Sequence, residues 1–303
     1  MLKIIVLGAA AGGGVPQWNC GCPQCAAARH DPRLAWTQAS LAISADGRNW
    51  FLINASPDLR QQINATPALH PRDGALRDSA MAGVVLTNGE VDAVAGLLSL
   101  REKSAFNIYA HQRVLGILDA NPIFEVLDRS LVGRVPMPLD QVTRLRLPSG
   151  EDSGIEIIPF RVPGKPPLYL EGDAIEDVAG DTVGLEIWSG DARAHFVAAC
   201  AAPDPGLLAR LGGSPLVFFD GTLWRDDELI VAGLGSKTGR RMGHMSMSGS
   251  DGSMVALEGL RLGRKVFLHI NNSNRVLQGG SPESEAAAAR GWIVPTDGME
   301  FTL

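Results

Sequence analysis

The chain has 303 residues, of which 45% are hydrophobic and 20% charged, and 35 are glycine. This composition is typical of a turn-rich globular protein and excludes a disordered or coiled-coil chain. A net charge of −6 argues against nucleic acid as the main partner, because affinity for nucleic acid depends on neutralising phosphates. We expect a single domain over residues 1–303.

The N-terminal residues 1–8 contain a short apolar run. The run is shorter than the apolar region of an export signal, and it predicts a first strand. No segment approaches the roughly 20 apolar residues that a membrane span needs. We therefore expect a cytoplasmic protein without a membrane partner.

A glycine-rich loop follows the first strand, at the place where a dinucleotide-binding fold has its phosphate turn. Pro16 and three cysteines come next, where that fold would begin a helix, so the fingerprint is absent. Residues 39–44 and 50–54 flank Asp46 and Gly47, which predicts a hairpin and a meander of the first three strands. Ser56 and Pro57 predict the start of a helix that runs to about Asn64.

A buried strand at 84–87, a helix to about Lys103 and a strand at 107–110 predict a β-α-β unit. Alternating patterns at 145–160 and 183–200 predict a second sheet. A helix at 204–211 and an apolar strand at 216–219 follow, and then a long loop from 224 to 252. A helix to about Leu260 and a strand at 265–270 complete the predicted elements.

Polar side chains at alternating positions follow the buried strand: Asn88, Glu90 and Asp92. In an extended turn all three would project the same way, as metal ligands do. The alternative is an ordinary strand-to-helix turn in which Asp92 caps a helix that begins near Ala93. The spacing alone leaves both interpretations open.

Cys20, Cys22 and Cys25 place three thiols within six residues. Three thiolates and one imidazole make the tetrahedral site of a structural zinc ion, and a redox or unliganded cluster is the alternative. Any of six histidines could supply the imidazole. We choose His269, because it lies near the carboxyl end of an apolar strand that can hold it rigidly.

A second group of polar side chains lies at or just after predicted strand ends. Loops at one end of the strands converge in layered α/β folds, so we expect these side chains to share a pocket. For each residue alone, a cap or a turn is the alternative. The group consists of Asn88, Glu90, Asp92, Asp58, Asp220, His244 and the run 269–275.

Residues 86–97 resemble the metal-binding turn of the metallo-β-lactamase superfamily, Thr-His-x-His-x-Asp-His-x-x-Gly-Leu. Asn88, Glu90 and Ala93 stand in place of its three histidines, and Asp92 is retained. The motifs at 8–25, 56–60, 219–224, 242–246 and 268–274 together resemble the pyrroloquinoline quinone biosynthesis protein B family.

The resemblance implies an α/β fold, a four-layer αββα sandwich of the metallo-β-lactamase type, with the site at one edge between the sheets. It also implies a structural zinc on Cys20, Cys22, Cys25 and His269. Asp220 falls where the superfamily has its bridging aspartate.

For function, the resemblance implies an iron- and oxygen-dependent hydroxylation of the tyrosine ring in a crosslinked glutamate–tyrosine precursor of pyrroloquinoline quinone. A carrier of the finished cofactor without an active-site metal is the alternative, and a hydrolase is a third. We expect Glu90, Asp92 and Asp220 to help hold Fe(II), with at most one histidine. Such an oxygen-rich ligand set suits Fe(II) better than it suits the two zinc ions of a hydrolase, which are held by several histidines.

Further side chains are expected to act on a substrate with several carboxylates, His244 in catalysis and the others in binding. The binding residues are Asn88, Asp58, Arg60, Asn272 and Asn274. As partners we expect the precursor or product as a small-molecule ligand, other enzymes of the same pathway, and a second copy of the chain in a homodimer.

Overall fold

The structure, a computed structural model, describes residues 1–72, 74–172 and 177–303. In these ranges it has fourteen strands and eight α-helices. The strands are β1 (Lys3–Gly8), β2 (Ser40–Ser44), β3 (Trp50–Ile53), β4 (Met81–Leu86), β5 (Phe106–Ala110), β6 (Val132–Pro136), β7 (Thr143–Arg146), β8 (Asp152–Arg161), β9 (Val183–Ser189), β10 (Ala192–Val197), β11 (Leu216–Asp220), β12 (Arg264–Leu268), β13 (Trp292–Ile293) and β14 (Glu300–Thr302). The helices are α1 (Pro23–His30), α2 (Leu59–Ala65), α3 (Val91–Val94), α4 (Gln112–Ala120), α5 (Pro205–Leu211), α6 (Glu228–Val231), α7 (Ser253–Ala256) and α8 (Pro282–Ala289).

The strands form two seven-stranded mixed sheets. The first has the order β14-β1-β2-β3-β4-β5-β6, and the second has the order β13-β12-β11-β10-β9-β8-β7. β1, β2 and β3 are antiparallel, and β3 to β6 are parallel. In the second sheet, β7 to β10 are antiparallel and β10 to β13 are parallel. The predicted meander, β-α-β unit and second sheet are confirmed.

Successive side chains of a strand face opposite sides of its sheet, and β1 shows the result. Ile4 and Val6 join an apolar core that also contains Phe196 of the second sheet. Ile5 and Leu7 join a separate core under the helices that cover the first sheet. The first sheet is therefore buried on both faces.

Helices cover the outer faces of both sheets. α2, α3 and α4 bury Leu59, Val94 and Leu118 in the core on the outer side of the first sheet. α5 and α8 contribute Leu211 and Ala287 to the core of the second sheet. The predicted four-layer αββα sandwich is confirmed.

Two predicted helices differ from those observed. α2 begins three residues after Ser56, whose hydroxyl donates to Oε1 of Gln62 at 3.0 Å instead of capping the helix. The helix predicted to reach Lys103 is the four-residue α3 followed by a 3₁₀ helix, Ala95–Leu100. The α-helix ends there because the amide of Gly96 donates to the carbonyl of Ala55 at 2.9 Å, not to its own helix.

The helices are short. The predicted loop from 224 to 252 contains one of them, α6. α4 has nine residues. Within the described ranges, no helix combines the length and the apolar character that crossing a membrane requires.

The C-terminal segment returns to the first sheet. β14 pairs with β1, and Asp297 accepts hydrogen bonds from the amide and the hydroxyl of Thr37, both at 2.7 Å. Both bonds use Oδ2, and within the described residues the buried Oδ1 has no hydrogen-bond partner. Burial raises the pKa of this carboxyl to about 6.

We predict opposite effects for two glycine-to-alanine changes. A Cβ on Gly96 would come 2.1 Å from the carbonyl oxygen of Ser56, so Gly96→Ala should lower the free energy of unfolding by about 2–3 kcal/mol. Gly116 lies on the exposed side of α4, where a Cβ meets no atom within 4 Å. Gly116→Ala should raise the free energy of unfolding by about 0.5–1 kcal/mol. Urea unfolding measures both, and equal effects would contradict the packing of Gly96.

We also predict a pH-dependent effect of Asp297→Asn. The pKa of this carboxyl is raised in the folded state, so its ionisation opposes folding as the pH rises from about 4 to about 6. Relative to the parent, the variant should gain about 2–3 kcal/mol of unfolding free energy between pH 4 and pH 7.5. Urea unfolding at the two pH values measures the gain. An equal difference at both pH values would show that burial does not perturb this carboxyl.

Candidate functional site

A cavity of about 460 Å³ lies at the edge of the sandwich where β4 and β12 end. Its walls come from the turn at 88–93, from the glycine-rich loop after β1, and from His269 directly after β12. Segments 164–169 and 242–244 form further walls, together with residues 38–39, 54, 182 and 198–199. Some of the predicted strand-end side chains meet in this cavity, and others do not.

Asp92 and His269 form an ion pair that joins the two sheets. Oδ2 of Asp92 lies 2.8 Å from Nε2 of His269. Burial lowers the pKa of His269, but the hydrogen bond and charge of Asp92 outweigh burial and hold that pKa above its ordinary value. Burial likewise raises the pKa of Asp92, and the hydrogen bond from His269 brings it below its ordinary value. His269 adopts a left-handed backbone with φ 58°, which is strained for a residue with a side chain.

Asp220, the last residue of β11, is fully buried. Its Oδ1 accepts from the amide and the hydroxyl of Thr222 at 3.0 and 2.7 Å. Its Oδ2 accepts from the amide of Cys200 at 2.9 Å and lies 2.8 Å from Nδ1 of His244. A carboxylate only accepts, so this Nδ1 carries the proton and the Nε2 lone pair of His244 is left for a ligand.

The hydroxyl of Thr222 connects the two histidines. Its Oγ1 lies 3.0 Å from Nδ1 of His244 and 2.8 Å from Nδ1 of His269. The two imidazole rings stack with their centroids 4.8 Å apart. The residues Asp92, His269, Thr222, Asp220 and His244 thus form one hydrogen-bonded series, which we call the histidine–carboxylate chain.

Three members of this chain can hold a metal ion together. One ligand atom from each of Asp220, His244 and His269 lies within 4.8 Å of the others. Two atoms that bind one ion at about 2.0–2.3 Å are at most about 4.6 Å apart, so this spacing is close to the limit for a shared ion. Two imidazoles and one carboxylate are the donor set of non-haem Fe(II) sites. The structure brings a second histidine, His269, into the group for which at most one was expected.

Glu90 lines the cavity, but its carboxylate is engaged elsewhere. Oε1 of Glu90 accepts from Nζ of Lys165 at 2.7 Å and from the amide of Leu168 at 3.1 Å. Oδ1 of Asn88 accepts from the amide of Glu90 at 3.0 Å and closes the turn. Because α3 begins at Val91, the three alternating residues do not share one extended segment, and among them only Asp92 contacts a histidine of the site. The structure corrects the prediction that Glu90 is placed to hold the metal.

Asp58 lies behind the glycine-rich loop, in a second cavity of about 390 Å³. Its Oδ2 accepts from the backbone and side-chain nitrogens of Gln38, both at 2.9 Å. Oε1 of Gln38 in turn accepts from the amide of Gly13 at 3.0 Å. The neighbouring Gly12 packs on Asp92, where a Cβ would be 3.3 Å from Oδ2. Asp58 supports the loop behind Asp92, which corrects the prediction that it binds substrate.

Three further residues predicted to bind substrate do not line the cavity: Arg60, Asn272 and Asn274. Arg60 is exposed on α2. Asn274 is buried, donates to the carbonyl of Gly221 at 3.2 Å and accepts from the amide of Val276 at 3.0 Å. For Asn274, the structure favours the alternative of an asparagine-rich turn.

The sulfurs of Cys20, Cys22 and Cys25 lie within 4.8 Å of one another. The side-chain amide of Asn272 faces all three, with Nδ2 at 3.1, 3.6 and 3.3 Å from the respective Sγ atoms. His269 lies outside this cluster, in the separate group with Asp220 and His244, and its ring contacts Thr222 and Asp92. The structure therefore corrects the predicted fourth ligand.

The three thiols perturb one another. Burial raises the pKa of the Cys22 thiol to about 11, and Cys20 and Cys25 also act to raise it. Burial also raises the pKa of Cys20, but hydrogen bonds outweigh burial and hold it below its ordinary value. Neighbouring thiolates repel each other, so all three ionise together only when a cation balances them. Such a cluster is a ready donor set for a metal ion.

Sequence reasoning missed Thr222 and Lys165. Thr222 lies two residues after Asp220 in an acid-Gly-Thr turn at the end of a strand, and this spacing was an available signal. Lys165 is the only cation in the Pro-Gly-Lys-Pro-Pro segment at 163–167. Its partner Glu90 lies 75 positions earlier in the chain, so no local pattern connects them.

The model of the Beta-lactamase superfamily domain matches residues 49–270. Coenzyme PQQ synthesis protein B of Rhodopseudomonas palustris is 61% identical to this chain over 308 residues, which cover 100% of both chains. The protein of the same name from Gluconacetobacter diazotrophicus is 55% identical over 309 residues, again with 100% of both chains covered.

The crystal structure of Zn(2+)-bound PqqB from Methylobacterium extorquens is similar, with a TM-score of 0.94 and 45% identity over 99% of this chain and 100% of that one. A diphosphatase from the PhnP family, 19% identical with a TM-score of 0.68, covers 100% of this chain and 98% of its own, and shares the fold. These similarities confirm the predicted metallo-β-lactamase type of sandwich. The chain belongs to the coenzyme PQQ synthesis protein B family, within the β-lactamase superfamily.

Proposed function

We propose that the chain acts in pyrroloquinoline quinone biosynthesis and hydroxylates the tyrosine ring of a crosslinked glutamate–tyrosine precursor, with Fe(II) and O₂. The observation that carries this proposal is the group of Asp220, His244 and His269, in which the two histidines line the cavity and Asp220 is buried behind them. Hydrolysis in this fold uses a metal-bound hydroxide held by several histidines, whereas two imidazoles and one carboxylate with open positions suit Fe(II). The name shared by the relatives supports the pathway.

The donor set fits Fe(II) in the number and kind of its atoms. When bound there, iron supplies the activation of O₂. In each hydroxylation, one oxygen atom of O₂ enters a ring C–H bond and the other leaves as water. Two electrons from a reductant and two protons complete the balance.

Apolar side chains at the cavity suit the binding of an aromatic ring. Val91 and Leu168, 58% and 60% exposed, give its rim apolar surface that a ring can cover. Ala93 also lines the cavity and supplies a methyl group where the superfamily turn has a histidine. The site thus keeps two imidazoles, from His244 and His269.

The histidine–carboxylate chain also holds protons. Nδ1 of His244 donates to Asp220, and Nε2 of His269 donates to Asp92. A ligating nitrogen must be free of its proton, so Nε2 of His269 would hold a cation only after the proton shared with Asp92 had left it. Asp92 is then the nearest carboxylate to accept a proton or to orient the imidazole.

We predict that the protein with Fe(II), a reductant and the precursor consumes O₂ and forms a dihydroxyphenyl product. His244→Ala and His269→Ala should each lower kcat/KM about 100-fold or more, because each removes a donor atom from the ion. An oxygen electrode and mass spectrometry of the product measure the two effects.

His30→Ala is the matched control, because His30 is exposed and does not line the cavity. It should leave the rate unchanged. If iron is bound and the mixture neither consumes O₂ nor forms the product, the proposal is wrong. Tight binding of pyrroloquinoline quinone that survives chelation would then favour the carrier.

For the cysteine cluster we propose a structural zinc ion on Cys20, Cys22 and Cys25, with the side-chain amide of Asn272 at the fourth corner. The amide faces all three sulfurs, and turning it by 180° presents its oxygen to the ion. The zinc bound to the PqqB of Methylobacterium extorquens supports the choice of metal.

We predict that Cys22→Ala lowers zinc content and thermal stability together, because binding at such a site is coupled to folding. A fall in Tm of about 5 °C or more is expected. Cys200→Ala is the control, since this buried thiol lies outside the cluster and its loss should spare the zinc. His269→Ala should also keep its zinc. Metal analysis with thermal unfolding measures both quantities, and an unchanged zinc content in Cys22→Ala would remove the proposed site.

A further inference from the structure

The segment from Gly164 to Glu171, which we call the strap, crosses one side of the cavity. Its Lys165 lies between two carboxylates, with Nζ 2.7 Å from Oε1 of Glu90 and 2.8 Å from Oε1 of Glu171. The hydroxyl of Tyr169 donates to the carbonyl of Gly89 at 2.6 Å. The strap is thereby fastened to the turn after β4.

Three cations meet at Glu171. Its Oε1 faces Lys165, and its Oε2 lies 3.3 Å from Nζ of Lys237 and 3.4 Å from Nη1 of Arg241. Glu171 is only 7% exposed, and the hydrogen bond from Lys165 is the main cause that lowers its pKa. Glu90 and Glu171 against these three cations leave a charge of +1. Without the Glu171 carboxylate, the positively charged groups of these three side chains would converge on one position.

One of these cations lines the cavity that the proposed substrate would enter, and the other two lie next to it. Lys165 lines the cavity, and so do Met242 and Gly243, which directly follow Arg241. The stem of Lys165 packs on Gly243, where a Cβ would come 3.2 Å from its Cγ. Gly243 also has φ +89°, which disfavours other residues. Lys237 and Arg241 lie behind this wall of the cavity, paired with the same Glu171 carboxylate as Lys165.

We propose that Lys165, Lys237 and Arg241 form a carboxylate-binding subsite for the substrate, and that Glu171 occupies it until a substrate carboxylate displaces it. The group held there is a carboxylate whose two oxygens contact different cations, which is how a substrate carboxylate would bind. The neighbouring Leu170 is 52% exposed, so few apolar contacts oppose the movement of Glu171. Only the identity of the substrate rests on the proposed function.

Calorimetry with pyrroloquinoline quinone, a tricarboxylate, tests the subsite in the presence of a chelator and without a reductant. Glu171→Gln removes the internal competitor and should bind the probe about three- to tenfold more tightly than the parent. Lys237→Gln and Arg241→Gln should each bind it about three- to tenfold more weakly. These differences should shrink as NaCl is raised, because salt screens partly exposed charges.

Glu125→Gln is the matched control. Glu125 is also a carboxylate paired with two arginines, Arg129 and Arg134, but it does not line the cavity. This change should leave the affinity unchanged, which separates a local subsite from the overall charge of the protein.

Weaker or unchanged binding by folded Glu171→Gln would overturn the proposal and leave Glu171 as a structural clamp. Absence of binding by the parent and every variant would overturn it too. If Glu171→Gln does not fold, Arg241→Gln decides, because unchanged affinity in that variant excludes the subsite. The assay needs neither iron nor turnover, so failure of the hydroxylase proposal leaves its outcome readable.

Discussion

The contact between Asp92 and His269 is the interaction on which the rest of the site depends. It joins the turn after β4 in the first sheet to the end of β12 in the second, at 2.8 Å. The contact is opposed by two free-energy terms, the desolvation of a charged pair and the left-handed backbone of His269. Asn54, which also lines the cavity, has the same left-handed backbone, with φ 61°.

The support for this contact comes from residues in the cavity wall and behind it. Asp58 orients Gln38, and Gln38 holds the amide of Gly13 at 3.0 Å. The glycine-rich loop that a nucleotide-binding fold would use for phosphate here brings bare backbone against Asp92. The loop can approach Asp92 this closely because it has no side chain there, since a Cβ on Gly12 would press on the carboxylate.

Local patterns predicted most of the fold and only part of the site. Alternating apolar residues, and the turn at Asp46 and Gly47, identify strands because their causes lie within a few residues. No pattern in the sequence near His269 predicts its role. The cysteine cluster and the cavity lie on either side of the segment after β12, and Asn272, three positions later, faces the cysteines. The role of Glu90 likewise depends on Lys165, 75 positions away.

The hydroxyl of Thr222 has a consequence for the two imidazoles. It has one proton and two lone pairs, yet Oγ1 of Thr222 lies within 3.0 Å of Oδ1 of Asp220, both Nδ1 atoms and the carbonyl of His269. The tautomers of His244 and His269 are therefore not independent, because a proton moved at one ring changes what the hydroxyl can accept or donate at the other. Substitutions at the two histidines would be energetically coupled, with a non-additive double-mutant cycle, although neither ring donates directly to the other.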